Sequence, residues 1–183
     1  MNLPQDTSTP EEKQKIASAL AIIEKDLSDG GVYKNLNAVR IIVADFDDTS
    51  TKGRCYQRDD GTPVAIVLNH EILAQDSHDD NLMPWYFTVL LHEVGHCYFD
   101  RKHENEMISL GNQELVFPLT VDKKKAEYTM SWISPTVMNV NGGRMILKNL
   151  RGYYVKEIAN LDRAHSWEDF APYANLTIRD RAH

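Results

Sequence analysis

His92, Glu93 and His96 form an H-E-x-x-H pattern inside the segment WYFTVLLHEVGHCYFDRKH (Trp85 to His103), and His103 follows seven residues after the second histidine. On an α-helix, histidines four residues apart share one face, close enough for both imidazoles to hold a single metal ion. Imidazole donors favour zinc. A carboxylate beside a zinc-activated water is placed to take its proton, which gives Glu93 the part of general base. The chain's own histidine and glutamate frequencies yield a chance expectation of roughly 0.02 for the pattern, so accident is a poor explanation of it.

For this chemistry one helix has to carry both histidines, and the residues before them fit: Tyr86, Phe87, Val89, Leu90 and Leu91 are apolar nearly all round, and Pro84 is well placed at the start. Polar groups within so buried a helix must be partnered or metal-bound. Were the helix to run on straight, His103 would stand about 10.5 Å beyond His96, too far for one ion. The spacing therefore predicts a helix ending just after Phe99 and a reversal through Asp100, Arg101 and Lys102. Asp100 tolerates the left-handed conformation such a turn needs, although glycine suits it better. Glu114 and Glu127 are the alternative third ligands, offered from a second helix; His103 is preferred because it needs only a local turn. Cys97 points about 100° away from His96 and is not counted as a ligand. With Cys55 it makes either a disulfide or a buried thiol, according to compartment.

Around this segment the other elements read more plainly. Thr9, Pro10 and Glu12 open a helix with Ile16, Leu20, Ile23 and Leu27 on one stripe and Gly30 and Gly31 at its end, expected to back a sheet. Strands are expected over Ala38 to Phe46, around Arg54 to Gln57, and over Val64 to Leu68, the last as the edge strand beside the site. Asp45, Asp47 and Asp48 lack the ligand spacing of a calcium loop and read as solvated turns. Asn69 to Asn81 reads as a polar loop with His70 and His78 exposed in it. Glu104 to Leu119 reads as irregular and Lys123 to Trp132 as a short helix, followed by a break at Asn141-Gly142-Gly143 and a helix from Arg144 to Leu161, weakened at Gly152.

A chain of 183 residues with 42% hydrophobic and 26% charged residues suits a single globular domain. The formal charge of −7 argues against a nucleic-acid surface, and the short Lys123 to Lys125 run reads as a solvated face. No apolar stretch is long enough to span a bilayer. Met1 to Pro10 is polar rather than signal-like, so the expectation is a protein acting where it is made or one whose leader has been removed, with the compartment left open. It is expected to be a monomer.

HEVGHCYFDRKH followed by SPTVMN resembles the zincin metallopeptidases, specifically metzincin-like ones, whose extended motif sets a third histidine after a helix-ending turn and a methionine turn beneath the metal. The cysteine straight after the second histidine and the arginine two before the third are similar to a bacterial subgroup of zinc peptidases. This chain has one residue more than usual between the second and third histidines, and no glycine in that turn. By this resemblance His92, His96 and His103 would bind one zinc ion, Glu93 would be the catalytic base, and Met138, within Ser134 to Asn139, would form the apolar floor. It implies an α+β, zincin-like single domain over residues 1–183. Residues 1–99 would form an upper part, a small twisted sheet backed by the N-terminal and active-site helices; residues 100–183 would form a mainly helical or irregular lower part with the third ligand and methionine turn. The implied activity is zinc-dependent endopeptidase hydrolysis of a peptide or protein substrate, with Tyr153, Tyr154, Arg144 and His165 each standing as oxyanion partners. The alternative is a zinc-binding interaction or inhibitory protein that keeps the fold and turns over nothing.

Overall fold

The Thr9 hydroxyl accepts from the Glu12 backbone N–H at 3.1 Å, and a Glu12 carboxylate oxygen accepts from the Thr9 N–H at 2.8 Å. That reciprocal cap starts α1 (Pro10–Asp29), whose Ile16, Leu20, Ile23 and Leu27 are all buried. The computed structural model describes residues 2–74, 80, 82–103, 107–109, 113–116, 127–129, 141–159 and 177–180.

After a short 3-10 turn (Leu36–Ala38), β1 (Arg40–Val43), β2 (Gly53–Gln57) and β3 (Pro63–Leu68) form one sheet in the order β1-β3-β2. β1 runs parallel to β3 and β2 antiparallel to it. The Val64 to Leu68 stretch is therefore central, not the edge expected from its position in sequence. Its unbroken apolar run has a reason: Ala65, Ile66, Val67 and Leu68 are all buried between two neighbours, whereas an edge strand alternates. The edge next to the site is β2. The first strand is also shorter than the Ala38 to Phe46 apolar stretch.

α2 (His70–Ala74) occupies the start of the segment expected to be loop, and His70 is not a free exposed histidine. Its Nε2 lies 2.7 Å from the Thr7 hydroxyl and its Nδ1 3.1 Å from Glu12 Oε1, tying the N-terminal segment to the body. α3 (Trp85–Phe99) lies on β2 and β3, and α4 (Asn141–Ile158) packs against its other side. α1 makes its closest backbone contacts with α3 and α4, and its buried Ile16, Leu20, Ile23 and Leu27 share one core with Val43, Ile66 and Leu68 of the sheet it was expected to back. A helix apolar nearly all round needs cover on the face turned from the sheet, and α1 and α4 provide it. α4 starts at Asn141, earlier than expected, and its backbone leaves helical geometry at Leu150 (φ −116°, ψ 19°), two residues before Gly152.

Two further strand pairs correct the expectations for the segment between these helices. β4 (Met107–Ser109) pairs with β6 (Glu127–Thr129), and β5 (Gln113–Val116) pairs with β7 (Thr177–Asp180), both antiparallel. Residues 107–109 and 113–116 are thus not irregular, and residues 127–129 are strand rather than helix. Pairing partners far along the chain decide such short strands, and local periodicity does not register them. Among the described residues no helix is long and apolar enough to cross a membrane.

Candidate metal centre

α3 ends where the histidine spacing requires. Asp100 takes the left-handed conformation (φ 50°, ψ 32°), and the Arg101 N–H turns back to the Gly95 carbonyl at 3.1 Å. The reversal delivers His103 to the two helical histidines. His92 Nε2 stands 2.9 Å from His96 Nε2 and 3.2 Å from His103 Nε2. A tetrahedral ion with bonds of about 2.05 Å needs its donors about 3.3 Å apart, so these two separations lie near that spacing, and the three donors all lie within 4.8 Å of one another. Among the described residues this is the group of histidine, cysteine or acidic side chains that can hold a metal ion.

The donor chemistry fits as well. His96 Nδ1–H donates to the Arg101 carbonyl at 2.6 Å, which leaves Nε2 as a bare lone pair facing its neighbours. Burial, assisted by nearby His103, holds the His96 imidazole below its ordinary pKa although the Arg101 carbonyl pulls the other way, so the ring is neutral at neutral pH. A hydrogen on His92 Nε2 serves one neighbour only, whereas a cation at the centre takes all three lone pairs.

Glu93 lies on the sheet side of the helix, 4% exposed. Burial pushes its pKa up to about 8, against the opposing pull of the Cys55 backbone N–H and the Arg54 charge. The Asn69 N–H donates to the Lys52 carbonyl at 2.9 Å, so even-numbered residues of this strand turn their backbone groups toward β3. Gly53 and Cys55 turn theirs outward along the free edge, and the Cys55 N–H meets the Glu93 carboxyl there. Gly53 lets the strand come this close: a Cβ on it would sit 2.6 Å from Val89 Cγ1 and 2.9 Å from Glu93 Oε1. Cys55 is disulfide-bonded to Cys97, which resolves the alternative left by the sequence and fastens β2 to α3.

A cleft of about 500 Å³ opens over these groups, lined by residues of β2, by Glu93 and His96, and by the Asp100 to His103 turn. Tyr153 and Tyr154 are fully buried in the core, and Arg144 donates through Nε to the Met83 carbonyl at 2.7 Å. None of the three is among the described residues lining the cleft. Glu114 and Glu127 sit in β5 and β6 rather than on a second helix, while Met138, His78 and His165 lie outside the described residues.

Sequence reasoning missed three contributors: Gly53, the outward Cys55 N–H, and the Arg101–Glu157 pair beneath the turn. A glycine opening an otherwise side-chain-rich strand is a signal of close backbone approach; the other two depend on long-range contacts. No protein-family model, curated protein or solved structure matches this chain.

Proposed function

We propose that this chain is a zinc-dependent endopeptidase of zincin-like, metzincin-like architecture. The observation that carries the reading is the convergence of the His92, His96 and His103 Nε2 atoms beside Glu93, in a cleft bordered by a sheet edge. Three imidazole ligands would leave a fourth position open on a tetrahedral ion, the pattern of catalytic rather than structural zinc. Zinc in such a site supplies Lewis acidity, acidifying a water and polarising a peptide carbonyl.

The chain's own groups do the rest. Without a metal, burial holds the Glu93 carboxyl protonated at neutral pH despite the Cys55 N–H and the Arg54 charge, and a divalent cation beside it would favour the carboxylate. The carboxylate then takes the proton of the attacking water and returns it to the leaving amine. An extended substrate lies along the outward edge of β2, where Gly53 and the Cys55 carbonyl offer main-chain partners. The Cys55–Cys97 bond suits work in an oxidising compartment.

The test is metal analysis of the purified chain followed by a cleavage screen on denatured protein and a peptide library. One zinc per chain and cleavage abolished by Glu93→Gln, with a loss of about 10²–10⁴-fold and zinc retained, are expected. Stoichiometric zinc without cleavage by the parent chain selects the non-catalytic interaction or inhibitory protein, and absence of zinc binding by the parent overturns both.

A further inference from the structure

Arg101 is held from both ends. Its guanidinium donates through Nη1 to the Glu157 main-chain carbonyl at 2.5 Å and through Nη2 to Glu157 Oε1 at 2.7 Å. The two side chains are 7% and 1% exposed. Its main chain, meanwhile, donates to Gly95 at 3.1 Å and accepts from His96 Nδ1 at 2.6 Å. One residue thus joins α4, the end of α3 and the imidazole whose far nitrogen faces the other two ligands.

We propose that the buried Arg101–Glu157 pair is a positioning device: it fixes the Arg101 carbonyl so that His96 stays in its Nδ1–H tautomer and aims the turn that delivers His103. This rests on the metal-binding reading above. Stability alone is a weak reason for the pair, since replacing a buried ion pair by apolar residues of similar volume is commonly neutral or stabilising. A carbonyl that sets the tautomer of a ligating histidine is a different matter. Loss of such an outer partner costs about 10–100-fold in metal affinity.

The double variant Arg101→Met with Glu157→Leu removes both charges together and leaves neither stranded. Three quantities are compared with the parent: thermal midpoint, zinc affinity by chelator competition, and the His96 tautomer of the metal-free chain by long-range ¹H–¹⁵N correlation. Expected are a midpoint near that of the parent, zinc binding weaker by about 10–100-fold, and a His96 signal shifted to mixed tautomers. A folded double variant with parental affinity and an unchanged Nδ1–H tautomer reduces the pair to packing and overturns the proposal. If the double variant does not fold, Glu157→Gln, which keeps an acceptor for the guanidinium, is read in the same way, with a several-fold weakening expected and parental values overturning. A parent chain that binds no zinc fails the metal-binding reading instead, and the tautomer comparison still decides whether the pair orients His96.

Discussion

Gly53 and Glu93 press against each other closely enough for one methyl group to matter. Val89, which would meet the added Cβ at 2.6 Å, is fully buried in the core and cannot swing aside. Gly53→Ala is therefore expected to cost about 1–3 kcal/mol in a denaturant titration. On the proposed peptidase reading it should also reduce turnover beyond any change in metal content, because the other near contact is Glu93 itself. Unaltered stability and activity would mean that the strand yields. Burial of Glu93 has its own signature in the metal-free chain. Its folded pKa of about 8 stands above the ordinary carboxylate value of 4.5, so between these pH values the folded state binds a proton that the unfolded chain has released. Stability then falls as pH rises from about 4.5 to 8, and the penalty is complete above that window. Glu93→Gln removes the titrating group and should flatten this slope, gaining on the parent at pH 8 and not at pH 4. Parallel pH profiles of chelated parent and variant would place the carboxyl in a wetter setting.

β2 and α3 behave as one unit because the Cys55–Cys97 bond closes a sequence separation of 42 residues between them. Chain entropy assigns such a loop about 4 kcal/mol, and replacing both cysteines by alanine is expected to lower stability by about 2–4 kcal/mol, measured by urea unfolding under non-reducing conditions. The helix end offers the opposite sign. Asp100 holds a left-handed conformation at φ 50°, so Asp100→Gly should stabilise by up to about 1 kcal/mol and leave metal affinity as it was. A loss of stability there would mean that the Asp100 side chain has a role of its own. These two cases also divide what the sequence discloses from what it hides. The helix of His92, Glu93 and His96, its end after Phe99 and the return of His103 were legible, since residue spacing and helix rise require them once the three histidines are read as sharing one ion. The capping box at Thr9 and Glu12 was legible for the same local reason. The place of β2 at the sheet edge was not, because strand order depends on partners: the apolar Val64 to Leu68 run looked like the strand nearest the site and proved to be the buried centre. The strand at Glu127–Thr129 was hidden likewise, its pairing with Met107–Ser109 invisible to local periodicity.

On the proposed reading, metal binding would join the separate parts of the molecule. His92 and His96 come from α3, packed between the sheet and the other long helices, while His103 comes from a turn anchored to α4 through Arg101 and Glu157. Three donors converge only when all these parts are assembled, so a ligand of the folded state stabilises the whole by mass action. Zinc free at 100 times its dissociation constant contributes about 2.7 kcal/mol. For a domain of this size that corresponds to a rise of about 5–11 °C in the thermal midpoint. The rise should be reversed by a chelator and much reduced in His103→Ala, which leaves two imidazoles. Magnesium, which prefers oxygen donors and octahedral geometry, should not reproduce it. An equal rise in His103→Ala would show that the ion binds elsewhere or that another group completes the site. An equal rise with magnesium would mean a general ionic effect on a chain of net charge −7. The three-imidazole arrangement is alone in requiring discrimination against magnesium and dependence on His103 together, because only there does the stabilising energy pass through a residue that the helix-ending turn must first bring home.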